Sequence, residues 1–143
     1  MSESGYSGTP LARKLGLKDG QAALLLGAPS GLEVITAFPG YSRCDRSIDA
    51  ITGRGCDYVH VFETERAVLE RFAPELAARL NPDGMLWVSW PKKASKRPTS
   101  LTEDVLRDIF LPLGLVDVKV CAVDGVWSGL KFVFRKEFRG GLR

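Results

Sequence analysis

The chain has 143 residues, 45% of them hydrophobic, and a formal net charge of +3. That is enough apolar material for one packed core and too little charge to argue for nucleic acid. No stretch approaches the roughly 18 apolar residues that span a bilayer, and the opening MSESGYSGTP has no apolar signal core, so a soluble, cytoplasmic protein without a membrane partner is expected.

In chain order, the Gly- and Ser-rich residues 4–8 read as irregular. Thr9 is placed to cap a short helix with Pro10 at its first position and Gly16 closing it after Leu15. Residues 22–26 are an unbroken apolar run between turn signals, which suggests a strand covered on both faces. After the turn 27–31, GAPSG, Ser30 is expected to begin a short helix ending before Pro39, and residues 41–44 form a second, shorter strand. One or two helical turns are expected over 47–52. Residues 58–62, YVHVF, are β-rich and read as a central strand.

Thr64 then caps a helix in which Val68, Phe72, Leu76 and Leu80 recur at four-residue spacing, a face expected to be buried. Pro74 is expected to kink or split that helix, because it removes a backbone donor and crowds the preceding turn. Residues 81–84, NPDG, read as a turn into the strand 85–90, which ends abruptly at Pro91, Lys92 and Lys93. Ser100 and Glu103 have capping-box spacing for a helix over 101–111 with Leu101, Val105 and Ile109 as its apolar stripe. Val116, Val118 and Val120 alternate with Asp117, Lys119 and Cys121. Asp124-Gly125 then separates this run from a second one through Leu130, Phe132 and Phe134, a strong hairpin signal.

Strands alternating with helices imply a mostly parallel sheet covered on both faces, a three-layer Rossmann-like α/β sandwich. The closing antiparallel hairpin resembles the end of the class I methyltransferase fold, and the short interval between Cys44 and Tyr58 implies a truncated version of it. One domain spanning residues 1–143 is expected, with 1–8 and 137–143 flexible. Cys44, Cys56 and Cys121 are odd in number and lack paired short spacing, so buried free thiols are expected rather than disulfides or a metal site.

In open sheets of this kind ligands bind beyond the carboxyl ends of the strands. Gly27, Ala28, Ser30 and Gly31 follow the first strand. GAPSG offers flexible backbone to a phosphate or carboxylate, but Pro29 removes one N–H from such a cradle, so a plain turn competes with that reading. Asp45 follows Gly27 by 18 positions, near the offset at which an acidic group accepts ribose hydroxyls, and equally suits a helix cap. Glu63 and Thr64 follow the central strand, and Glu63 suits a general base only if partly buried. Trp90, Lys92 and Lys93 end the next strand, where the indole offers a stacking face and the lysines neutralise an anion. The alternative there is a core tryptophan with solvated lysines. His60, inside a strand, reads as a satisfied histidine rather than a catalyst.

Charge is uneven. Residues 1–90 carry 9 basic and 11 acidic side chains, a balance of −2, whereas residues 91–143 carry 11 and 6, a balance of +5. The excess lies in Lys92, Lys93, Lys96 and Arg97 and in the tail.

The segments SGYSGTPLARKLGLKDG (4–20), LLLGAP (24–29), DGMLWVSWPKKAS (83–95) and LVDVKVCAVDGVWSGLKFV (115–133) resemble the uncharacterised bacterial domain-of-unknown-function family 3052. The resemblance covers nearly the whole chain outside residues 32–56 and implies no activity. Against the methyltransferase pattern, the chain lacks a full glycine loop and a long helix behind the first strand. The leading expectation is therefore a noncatalytic Rossmann-like module that binds an anionic small molecule or a protein partner at the carboxyl edge. The alternative is a minimal S-adenosylmethionine-dependent methyltransferase, with Gly27, Asp45 and Glu63 on the cofactor and Trp90 with Lys92 near substrate. Nucleic-acid binding through Lys92, Lys93, Lys96 and Arg97 ranks last, because Trp90 alone interleaves the charge.

Overall fold

The computed structural model describes residues 10–142, so the expected cap Thr9 and the irregular segment 4–8 lie outside the described residues. Six strands form one sheet: β1 (Ala22–Leu26), β2 (Arg43–Asp45), β3 (Cys56–Phe62), β4 (Leu80–Pro91), β5 (Leu115–Ala122) and β6 (Trp127–Phe134). Their order is β2-β1-β3-β4-β6-β5. The pairs β1–β2, β1–β3 and β3–β4 are parallel, and β6 lies antiparallel between β4 and β5. This is the mostly parallel sheet with a terminal hairpin that the alternating pattern and Asp124-Gly125 predict. The hairpin turn is held by Asp124, whose Oδ1 accepts the N–H groups of Val126 and Trp127, both at 2.8 Å.

Both faces of the sheet are covered because the central strands are apolar on both sides. Ala23, Leu25, Tyr58, Phe62 and Trp87 face a core closed by Leu15 and Leu17 after helix α1 (Leu11–Lys14), by Leu32 and Ile35 around helix α2 (Glu33–Thr36), and by Trp127. Leu24, Val59, Val61, Leu86, Val88 and Trp90 face the opposite core, built from helix α3 (Arg66–Arg79) and helix α4 (Glu103–Phe110). The three layers follow directly. A single turn, α5 (Lys136–Arg139), ends the regular structure. No helix among the described residues is long and apolar enough to cross a membrane.

His60 sits at the centre of β3 with no solvent exposure. Its two ring nitrogens lie 2.8 Å from the Tyr58 hydroxyl and 2.7 Å from the Ser89 hydroxyl, and its ring stacks on Phe62 at 4.3 Å. Burial lowers its pKa to about 3, so it is neutral at physiological pH. A buried polar group is tolerated when its hydrogen bonds are made, and here both are.

Several local expectations are corrected. The short helix does not begin at Ser30 but with Leu32 as its cap, and the second strand lies at Arg43–Asp45. Helix α3 runs unbroken through Pro74, which is exposed. Its buried face is Leu69, Ala73, Leu76 and Ala77, while Val68 is half-buried and Phe72 is exposed, contrary to the Val68–Phe72 line. The segment 81–84 is extended within β4 and not a turn. Cys56 pairs with Leu80 and Tyr58 with Met85, so these residues bulge out of the ladder. Gly84 permits this, because a β-carbon there would meet the Cys56 carbonyl oxygen at 2.9 Å.

Ser100 does not cap α4. Its hydroxyl accepts the Arg66 N–H at the start of α3 at 2.7 Å, and Thr102 caps α4 by accepting from Val105 at 3.2 Å. The alternating valines of β5 point outward: Val118 and Val120 are exposed while Cys121 is buried, after a register shift between Asp117 and Lys119. All three cysteines are free, but Cys44 is exposed on the edge strand β2.

Candidate functional site

The order β2-β1-β3 means that the chain leaves β1 toward one side and returns on its other side at β3, so the carboxyl ends of β1 and β3 part at a topological switch point. A pocket of about 360 Å³ opens there. It is bounded by Leu26 and Gly27 ending β1, by Arg46, Ile48 and Asp49 following β2, by Val61 and Glu63 ending β3, and by Phe72 of α3. The volume lies within the range of small-molecule sites.

Each wall has a local cause. Gly27 adopts φ +71°, and a β-carbon on it would lie 2.6 Å from the Phe62 carbonyl oxygen, so only glycine lets the first loop close against the end of β3. Glu63 stands where β3 meets α3, and its Oε2 accepts the N–H groups of Thr64 and Glu65 at 2.9 and 3.1 Å. Thr64 does not cap helix α3 as expected: the cap position is Glu65, which makes no side-chain cap bond, and the Glu63 carboxylate holds the entry instead. Ser47 begins the 3-10 turn over Ile48–Ala50, accepting the Asp49 N–H, and so holds Asp49 at the rim while Ile48 plugs the core. Phe72 is 39% exposed, a large ring turned toward the pocket.

A second cavity, about 650 Å³, lies on the same sheet edge between the end of β4 and the start of α4. Trp90 forms its floor and is itself 8% exposed. Lys93, Arg97, Thr99 and Thr102 line it together with Glu103, Asp104 and Arg107. The loop between strand and helix is pinned to the neighbouring one, since Thr64 O accepts from the Thr99 hydroxyl at 2.7 Å and from the Ser100 N–H at 3.0 Å.

The residues singled out from sequence therefore divide between two places. Gly27 and Glu63 meet at the switch point. Trp90 and Lys93 meet in the second cavity, so the strand end with its two lysines does not share the Gly27 pocket. Lys92 lines neither, and its N–H donates to Val126 O at 2.7 Å. Asp45 is held by Arg43, whose Nε and Nη2 donate to its Oδ2 at 2.9 and 2.6 Å, and it is outside the pocket lining. Ala28, Ser30 and Gly31 form the loop beyond Gly27 and stand outside the lining as well. Thr64 ties the two edge loops together.

Asp49 and Phe72 were not anticipated. Asp49 carried no motif, and Phe72 fitted a helical stripe as well as a core residue would. Among the described residues no cluster of His, Cys, Asp or Glu suits a metal ion.

No protein-family model matches the chain, and the expected membership of the uncharacterised bacterial family is not supported by that comparison. No curated protein sequence matches it either. Solved structures do. The fold is similar to a putative type 11 methyltransferase from Sulfolobus solfataricus at TM-score 0.68 and 12% identity, covering 88% of this chain and 90% of that one. A SAM-dependent methyltransferase from Aquifex aeolicus superposes at TM-score 0.63 and 15% identity, covering 87% and 88%. Magnesium protoporphyrin IX methyltransferase from Synechocystis PCC 6803, solved with bound SAM, gives TM-score 0.59 and 14% identity over 87% and 74%. The fold is that of Rossmann-like methyltransferases.

Proposed function

We propose that the switch-point pocket binds S-adenosylmethionine and that the domain is a minimal methyltransferase of this fold. The observation that carries the reading is the position of the pocket between the diverging ends of β1 and β3. Its donor set suits an adenosyl ligand. Asp49 offers a carboxylate to ribose hydroxyls, in the place of the Asp45 that Arg43 occupies. Ile48 and the exposed face of Phe72 offer an apolar wall to a flat base. Glu63 and Asp49 set two carboxylates against the single cation Arg46 in the lining, a balance favourable to a cationic ligand.

When bound, the cofactor supplies an electrophilic methyl group on a positively charged sulfur. The contribution of this chain is to orient that group and exclude water from one side of it. Gly27 and Glu63 fix the two strand-end loops, and Leu26 and Val61 close the floor. A noncatalytic module that keeps the same pocket is favoured by one observation, the loop after β1, where Pro29 has no N–H to offer a ligand.

Calorimetric titration with S-adenosylmethionine and with its demethylated product tests the reading. Dissociation constants below about 1 mM, weakened in Phe72→Ala and Asp49→Asn, are expected. Absence of heat at millimolar ligand removes the methyltransferase reading. Tight binding of the demethylated product, with no methyl transferred to any acceptor in a small-molecule extract, selects the noncatalytic module.

A further inference from the structure

The second cavity has no part in the site above, and its charge is of a different kind. Arg107 is already engaged with carboxylates through three of its five N–H groups: its Nη2 donates to Glu103 and its Nη1 to Asp104, each at 2.9 Å, and its Nε donates to Asp117 at 3.0 Å. Glu103 and Asp104 on the cavity wall thus each accept one Arg107 N–H, which offsets part of their charge. Lys93 and Arg97 differ, since among the described residues neither side chain takes part in an ion pair or a hydrogen bond, and both residues are exposed and line the cavity. They are brought together by the loop itself. Lys93–Ser95 is a 3-10 turn capped by Lys96 at φ 60° and ψ 15°, the one non-glycine residue with positive φ among those described, and the reversal there returns Arg97 toward the start of α4.

From this arrangement we infer that the cavity between β4 and α4 is a second ligand site, which holds a phosphate-bearing small molecule through Lys93 and Arg97. A compact ammonium and a planar guanidinium converging on one space suit an oxyanion that carries more than one charge and several acceptor oxygens. The hydroxyl groups of Thr99 and Thr102 lie on the same wall. At about 650 Å³ the space exceeds the need of a bare phosphate, and the part of Trp90 that reaches it offers an apolar surface to the remainder of the molecule. A small ligand is favoured over a nucleic acid because the free cations converge on a cavity instead of lining an extended groove with repeated aromatic platforms.

The test is a nitrogen-15 NMR titration of the full chain with inorganic phosphate, then with ribose 5-phosphate and with ribose. Shifts are expected at the backbone amides of residues 93–102, omitting Pro98, and at the Trp90 indole with both phosphate compounds and not with ribose. The Lys93→Ala/Arg97→Ala variant is expected to weaken ribose 5-phosphate binding at least about tenfold, and Lys93→Arg to retain it. An unchanged melting temperature in the double variant separates this from unfolding. No shift with either phosphate compound, shifts equally strong at Lys136 and Arg139, or binding that survives in the double variant would overturn the inference. So would an oligonucleotide that binds the same residues more tightly as its length grows, which would assign the surface to nucleic acid.

Discussion

The two pockets on the carboxyl edge are built by different means. At the switch point the space exists because two adjacent parallel strands send their chains apart, and its walls are largely fixed by backbone: Gly27 against the Phe62 carbonyl, Glu63 under two N–H groups, Ser47 at the Asp49 turn. In the cavity beside α4 the space is defined by side chains on a loop, with two cations left uncommitted. Substitutions at the residues that fix the backbone of the first should therefore register in stability as well as binding, and substitutions at the second in binding alone.

The largest effect is expected at Gly27. Gly27→Ala places a β-carbon on the Phe62 carbonyl in a left-handed conformation and should cost about 2–4 kcal/mol in urea unfolding. An unchanged midpoint would mean that the first loop is free to move, and the contrast between the pockets would fail.

Next comes acid, acting through β3, whose Phe62 stacks on buried His60 beneath the switch-point pocket. The folded-state pKa of about 3 lies below the ordinary 6.5, so the unfolded chain binds the proton more readily. Stability from this source is complete above about pH 6.5 and falls as pH drops toward 3. The loss should be about 2 kcal/mol between pH 7 and pH 5, measured by chemical denaturation. In His60→Gln that part of the slope should vanish.

Phe72→Ala should weaken S-adenosylmethionine about fivefold to tenfold and change stability by less than about 1 kcal/mol, because the ring is already exposed. Calorimetry and thermal melting on the same sample distinguish a pocket wall from a packing residue. The smallest effect belongs to the basic loop, where Lys93→Ala/Arg97→Ala should leave unfolding free energy within about 0.5 kcal/mol of the parent. A larger loss would show that these cations carry structure and narrow the difference between the two regions.

Strand identity was legible from residues because burial leaves an unmistakable pattern. The runs 22–26 and 58–62 are apolar on both faces, as strands between two layers must be, and Asp124-Gly125 marks its hairpin with one dipeptide. Helix faces were less legible. In α3 both Val68-Phe72-Leu76 and Leu69-Ala73-Leu76-Ala77 satisfy helical spacing, and the structure buries the line with the alanines. The site was legible as an edge and not as a pocket. Gly27, Glu63, Trp90 and Lys93 all lie where strands end, but which of them share a cavity depends on strand order.

The sequence by itself determined the alternation of strands and helices, the double-sided core, the terminal hairpin and the position of Gly27, Glu63, Trp90 and Lys93 at one sheet edge, all consequences of local periodicity and turn chemistry. Tertiary structure alone decided that Phe72 turns outward, that Asp49 and not Asp45 lies on the pocket rim, and that the basic strand end opens into its own cavity. Those outcomes rest on contacts between segments distant along the chain or on the way a helix seats against the sheet, neither of which local spacing encodes.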